Sequence, residues 1–322
     1  MKLRKTTGSG AGRRRFDGMR LIRGGEFRMG AGAFYADEYP ERSASVGDFW
    51  IDQTPITNDQ FARFVAATGH VTVAQIAPDP ADYPGMAPQM ARAGSAVFTP
   101  PLEASAGPVG ADTEPTWWRF VFGADWRRPT GPGGGIEEMG AHPVVHVALA
   151  DALAYCRWAG KVLPNEAEWE YAARGGLDGA TYAWGDELEP GGRAMAKTWR
   201  GEFPAVNLAP AGLERTAPVR SYPPNGHGLF DMIGNVWEWT ADPYAAGGPD
   251  AARPCCGSAS RPRAGGGRDR SPPIQPIPRR VLKGGSHLCA PNYCQRYRPA
   301  ARWAQPIDTS ASHVGFRCIV RR

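Results

Sequence analysis

Two cysteines stand five positions apart in "GGSHLCAPNYCQRYR", as Cys289 and Cys294, with Ser286, Tyr293, Arg296 and Arg298 close by in sequence. Such a pair can close a disulfide, form half of a metal site, cycle between thiol and disulfide, or do nothing. A thiol ionises near pH 8.5, so a bound metal or a neighbouring guanidinium, here Arg296 or Arg298, would favour the thiolate. The other four cysteines say less. Cys156 lies in a helical pattern, "AYCRWAG", and Cys318 in "GFRC", while Cys255 and Cys256 adjoin one another in a Gly/Pro/Arg-rich stretch and are given no role.

Oxygen donors gather in "LFDMIGNVWEW". Asp231 and Glu238 bring carboxylates, and Gly234 and Val236 could turn carbonyls inward, a set that with water would suit Ca2+. Taken alone, the two acids are more simply surface groups. His142 and His146 have the spacing of ligands on one helix face. However, "HPVVH" is β-branched and begins His-Pro, so a strand over 143–147 is expected instead.

These groups need a scaffold, and composition bounds it. The chain has 322 residues with 41 Gly and 31 Pro, which argues for a loop-rich globule rather than a helical bundle or a doubly wound sheet, and the strand and helix signals along it make the expected class α+β. Eleven Trp supply large burial per side chain. The net charge of +5 is concentrated in Lys2, Arg4, Lys5, Arg13 to Arg15 and a second basic stretch from Arg261 to Arg280. With no recognition module beside them, these read as solvated segments, and no nucleic-acid partner is expected. No apolar run approaches the roughly eighteen residues that span a bilayer, and the N-terminus lacks an apolar signal core. The expectation is a cytoplasmic protein with no membrane partner, where closely spaced cysteines serve metals or catalysis more often than stable disulfides.

Residues 1–17 are expected to be a disordered lead, and 18–322 a single domain with a flexible insertion at about 244–280. Strand and turn signals occupy 19–30. Thr57 caps a helix whose apolar face holds Phe61, Phe64 and Val65. A second helix is expected from about 150 to 159. A third follows, with Asn165 as its cap, Glu168 closing a capping box, and Ala167, Trp169, Glu170 and Ala173 at helical spacing. Strands are expected at "RVLKGGS" and along "HVGFRCIVRR".

Six blocks, "GGEFRMG", "PITNDQFARFV", "HPVVHVALADALAYCRWAGKVLPNEAEWEYAARGG", "YAWGDE", "NGHGLFDMIGNVWEWT" and "LKGGSHLCAPNYCQRYRPAAR…SASHVGFRC", occur in an order that resembles the formylglycine-generating enzymes, or sulfatase-modifying factors. The resemblance runs from about 19 to 322, leaving out 244–280. It implies a compact, duplicated C-type-lectin-like fold with little regular secondary structure. It also implies a copper-dependent oxidase that converts the cysteine of a Cys-x-Pro-x-Arg segment in a sulfatase to Cα-formylglycine. Molecular oxygen and a thiol reductant would be consumed, and the chain would act as a monomer.

On that resemblance, Cys289 and Cys294 bind Cu(I), which two soft thiolates suit better than Mg or Mn. Ser286 and Tyr293 would hydrogen-bond oxygen or substrate sulfur, Trp237 would line the pocket, and Arg296 would assist the thiolates. Asp231, Gly234, Val236 and Glu238 would hold a structural Ca2+, and Cys156 and Cys318 sit where some relatives have a disulfide. A further calcium site of some relatives is expected to be absent, because Lys197 and Ala211 stand at its acidic or amide positions. Trp117, Trp118, Trp126, Trp237 and Trp303 are candidates for the walls of a peptide groove. Two alternatives share the scaffold: a non-haem iron sulfoxide synthase, whose H-x-x-x-H-x-E helix is not found here, and a non-catalytic lectin-like binding module.

Overall fold

A computed structural model describes residues 16–32, 34–101, 117–245 and 277–322. The expected lead lies outside these residues except for Phe16 and Asp17, which form a turn. Most of the expected insertion, with Cys255 and Cys256, lies outside them as well.

Strands β1 (Met19–Ile22), β2 (Gly25–Met29), β3 (Arg42–Val46) and β4 (Phe49–Asp52) precede helix α1 (Asn58–Thr68). Then come β5 (Gly94–Phe98), β6 (Trp118–Phe122), α2 (Leu149–Ala159) and α3 (Glu166–Arg174). The chain closes with β7 (Trp237–Pro243), β8 (Arg279–Lys283), β9 (Arg302–Pro306), β10 (Val314–Gly315) and β11 (Ile319–Arg321). This is an α+β arrangement of short elements held mainly by loops. No helix among the described residues is long and apolar enough to cross a membrane.

Two sheets carry the architecture. One is antiparallel, in the order β1-β4-β11, and so joins the chain's first and last strands through β4. The other runs β10-β7-β8-β9, with β10 parallel to β7 and the rest antiparallel. Helix ends follow their local chemistry. Thr57 Oγ1 accepts the Gln60 N–H while the Gln60 side chain accepts the Thr57 N–H, and Asn165 with Glu168 makes the same reciprocal pair. Gly69, Gly160 and Gly175 end the three helices in the left-handed region.

Three expectations need correction. The segment 143–147 is no strand: only Pro143 bridges, to Thr57, and His146 has φ +58. Proline cannot donate to a ladder, and the flanking histidines are tied to Thr216, Ser95 and Pro129 instead. "HVGFRCIVRR" is two strands, β10 and β11, in different sheets, because Phe316 to Cys318 cross the core between them. The insertion is also narrower than 244–280, since β8 already begins at Arg279.

The larger core cluster joins Phe61, Phe64 and Tyr155 of the helices to Trp126, Trp237, Trp239 and Phe316, and takes in all four described cysteines. Burying one such aromatic contributes about 2–3 kcal/mol. A second cluster sets Trp169 of α3 against Ile22, Phe49 and Ile51. Between them Glu238 is fully buried. Each of its carboxylate oxygens accepts two bonds: Oε1 from Arg317 Nε at 3.0 Å and Nη2 at 2.8 Å, and Oε2 from Arg317 Nε and Trp169 Nε1, both at 2.7 Å. Replacing Arg317 with Met should leave that carboxylate uncompensated and cost about 3–5 kcal/mol in denaturant unfolding. A loss under about 1 kcal/mol would show that the pair is dispensable.

Candidate active site

The cysteine loop leaves β8 through Gly284 and Gly285, both at positive φ (93 and 72). A Cβ on Gly285 would stand 2.7 Å from the Arg296 carbonyl oxygen, and one on Gly284 would be 2.7 Å from the Met232 carbonyl and 2.9 Å from the Trp169 ring. Only glycine fits this path. After it, Leu288 N–H donates to Ser286 Oγ and Cys289 N–H to the Ser286 carbonyl. Tyr293 and Cys294 both donate their N–H groups to the Ala290 carbonyl, which folds "CAPNYC" into one tight turn.

That turn brings the two sulfurs together. Cys289 and Cys294 are thiols rather than a disulfide, their Sγ atoms are 3.4 Å apart, and both residues are fully buried. The Ser286 N–H points at Cys289 Sγ from 3.5 Å. Trp237 packs in the same cluster as both cysteines, with no hydrogen-bond acceptor for its Nε1 among the described residues. Two thiols in an apolar setting are a soft donor pair, and they fit a monovalent soft ion on donor chemistry alone. Among the described residues no group of three or more His, Cys, Asp or Glu is placed to hold a metal.

The structure distributes the other expected residues differently. Tyr293 stacks on Phe203 (centroids 4.4 Å) and meets Trp117 edge-on (5.6 Å). With Phe98, Trp199, Leu288 and Ala290 these form an aromatic wall over the cysteine turn. Of the five candidate tryptophans, Trp117 belongs to this wall, and Trp118 packs against it. Trp126 and Trp237 are in the main core, and Trp303 lies 5.6 Å from the Arg296 guanidinium.

Arg296 and Arg298 were expected to lend charge to the thiolates. Their charges are matched elsewhere. Arg296 Nη1 binds both Asp37 carboxylate oxygens, at 2.9 and 3.1 Å, and the Arg302 carbonyl, and Arg298 Nη2 binds Glu38 at 2.5 Å. Burial pushes the Glu38 carboxyl up, and Arg298 only partly offsets it.

The four calcium positions are not assembled as a cage. Glu238 is saturated by Arg317 and Trp169, while Asp231 accepts from the Arg220 N–H and from Asn235 Nδ2. Burial raises the Asp231 carboxyl. The donor set as arranged does not fit Ca2+. Lys197 itself is buried, and desolvation lowers its ammonium to about 8. Cys156 and Cys318 are also thiols 3.4 Å apart, and burial, followed by the Cys156 hydrogen bond, pushes the Cys318 thiol well up.

Several site residues were not singled out in the sequence. Tyr297 is buried beside the pair: burial lifts its phenol, and Tyr182, Cys289 and Cys294 add to the effect. Its place in "CQRYR" was the available signal. Phe98 and Phe203 gave none, because their partners are distant in sequence.

The family defined by the sulfatase-modifying factor enzyme 1-like domain matches residues 5–322. The chain belongs to this family. It is 49% identical over 299 residues to the formylglycine-generating enzyme of Mycobacterium tuberculosis, covering 92% of this chain and 95% of that one. The family also includes proteins without the activity. The inactive C-alpha-formylglycine-generating enzyme 2 of Mus musculus is 36% identical over 304 residues, covering 92% of this chain and 83% of its own. Among solved structures, that of PvdO from Pseudomonas aeruginosa superposes with a TM-score of 0.57 at 22% identity over 94% of this chain and 93% of that one, a likeness of fold.

Three imidazoles are deeply buried, and one of them, His287, lies in the cysteine loop. Desolvation lowers His146 to about 4 and His313 to about 3, and lowers His287 well below its usual range. A folded-state pKa below the unfolded value near 6.5 gives stability that is present above about pH 6.5 and is lost as pH falls toward 4. At pH 5, nitrogen-15 spectra should therefore show His146 and His313 still neutral. Imidazolium signals at that pH would contradict this burial.

Proposed function

We propose that the chain is a formylglycine-generating oxidase, and that Cu(I) held by Cys289 and Cys294 serves its reaction. One observation carries the reading. The two thiols meet at 3.4 Å in a buried turn, in a chain nearly half identical to a formylglycine-generating enzyme. The substrate would be a cysteine of a sulfatase polypeptide, in a Cys-x-Pro-x-Arg segment presented before that protein has folded.

The overall change balances with one O2 and two reducing equivalents. The substrate carbon loses two electrons as CH2–SH becomes CHO, the sulfur leaves as hydrogen sulfide, and the second oxygen atom leaves as water. A thiol reductant supplies the other two electrons. Bound copper would supply what side chains lack, a one-electron route to dioxygen. The chain's own groups do the rest. The Cys289–Cys294 turn holds two soft donors in a fixed, water-poor position, and Ser286 directs its N–H at one of them. Trp237 closes the apolar side, and the wall of Trp117, Phe203 and Tyr293 offers flat faces to an extended peptide. Both cysteines come from one loop, so the reading needs only one copy of the chain. Calcium would require Glu238 to leave Arg317, and it takes no part in the proposed chemistry.

The inactive relative supports a second reading, a binding module without catalysis. One experiment separates the two. Reduced protein is loaded with Cu(I) and incubated in air with a thiol reductant and a peptide containing Cys-Thr-Pro-Ser-Arg, and aldehyde is trapped with a hydrazide and weighed by mass spectrometry. Aldehyde should form only with copper and should drop at least about a hundredfold in Cys289→Ser and in Cys294→Ser, with circular dichroism unchanged. Undiminished aldehyde in both variants, or none under any metal with the fold intact, would refute the oxidase reading.

A further inference from the structure

The cysteine turn is held from inside and from outside. The Cys294 N–H goes to Ala290, within the turn, but the next N–H, of Gln295, points out of it. It donates to the phenol oxygen of Tyr35 at 3.0 Å, across 260 positions of sequence. Tyr35 belongs to a short segment between β2 and β3 that contacts the outgoing strand of the loop repeatedly. Its ring lies 4.0 Å from the Arg296 guanidinium carbon, and Phe34 lies 3.8 Å from that of Arg298. Asp37 and Glu38, from the same segment, bind Arg296 and Arg298, and the Asp37 carbonyl accepts from Arg302 Nη1.

These contacts are not equivalent. The ion pairs hold residues two and four beyond Cys294, and each can be served by either carboxylate oxygen. The Tyr35 hydroxyl holds the peptide group that begins at Cys294 itself, so it is the contact that fixes where the second sulfur's backbone sits. The bond is partly buried, so drift of the turn from Tyr35 would leave a peptide N–H without its acceptor where water has only partial access.

We infer that Tyr35 is a positioning residue for the cysteine pair: through the Gln295 N–H it sets the height of Cys294 relative to Cys289, and so the fit of the two sulfurs to one soft metal ion. The metal half of this statement rests on the function proposed above. The backbone half does not.

Tyr35→Phe is the sharpest test, because it keeps the ring beside Arg296 and removes only the hydroxyl. Full-length reduced protein is compared as wild type, Tyr35→Phe and Tyr39→Phe, the last an exposed neighbour. In metal-free protein, iodoacetamide labelling is followed for each cysteine by mass spectrometry. Cu(I) affinity is measured by competition with bicinchoninate. Tyr35→Phe should label Cys294 about fivefold to tenfold faster and bind Cu(I) weaker by a similar factor, while Cys156 and Cys318 label at the wild-type rate and Tyr39→Phe behaves as wild type.

Unchanged Cys294 labelling and unchanged Cu(I) affinity would overturn the inference. Equal acceleration at Cys156 and Cys318 would overturn it too, since that is loss of the fold rather than of position. Failure of the wild-type protein to bind Cu(I) would sink the copper reading, and Cys294 labelling would still decide whether Tyr35 positions the turn.

Discussion

Charge matching in the interior is the constraint on which this fold rests. The last forty residues send long cations inward, and carboxylates from distant parts of the chain receive them: Lys283 by Glu170, Arg296 by Asp37, Arg298 by Glu38, Arg302 by Glu166 and Arg317 by Glu238. Each ion taken from water alone would cost several kcal/mol, so only the arrangement with every partner in place is tolerated. Glu170 shows the balance. Burial would raise its carboxyl, yet Lys283 and Arg174 together hold it below the usual range. In a chain with short strands and three short helices, these pairs supply the specificity that long regular elements give elsewhere.

The same matching shapes the chemistry of the site. Arginines near the cysteine turn are neutralised by their own carboxylates, and the nearby histidines are kept uncharged by burial. The sulfurs themselves belong to the apolar cluster that holds Trp237 and Phe316. Such surroundings do little to drain electron density from sulfur, which suits a soft ion better than they suit a nucleophilic thiolate waiting for an electrophile.

Local signals in the sequence were legible. Thr57 and Asn165 announced α1 and α3 because an N-cap bonds within its own first turn, and the cysteine turn was visible because its bonds close within six residues. The loop-rich character followed from the Gly and Pro content, and the α+β class from the strand and helix signals together. Where the sequence misled, the deciding partner was remote. Arg296 reads as a thiolate's neighbour until Asp37 arrives from the other end of the chain, and Glu238 reads as a calcium ligand until Arg317 takes both its oxygens. The segment 143–147 has strand-like residues, but its histidines found side-chain and carbonyl partners instead of a ladder. Tyr35 carried no local mark at all.

The bond from Gln295 to Tyr35 and the pair of Arg298 with Glu38 each span 260 positions, and β1 meets β11 across β4. On a ribosome, the amino-terminal half of each of these contacts emerges some 260 residues ahead of its partner. Contacts of such sequence separation form late and slowly. The place of the second cysteine is therefore set only when the segment after Cys294 comes back to Tyr35, across some 260 residues of intervening chain.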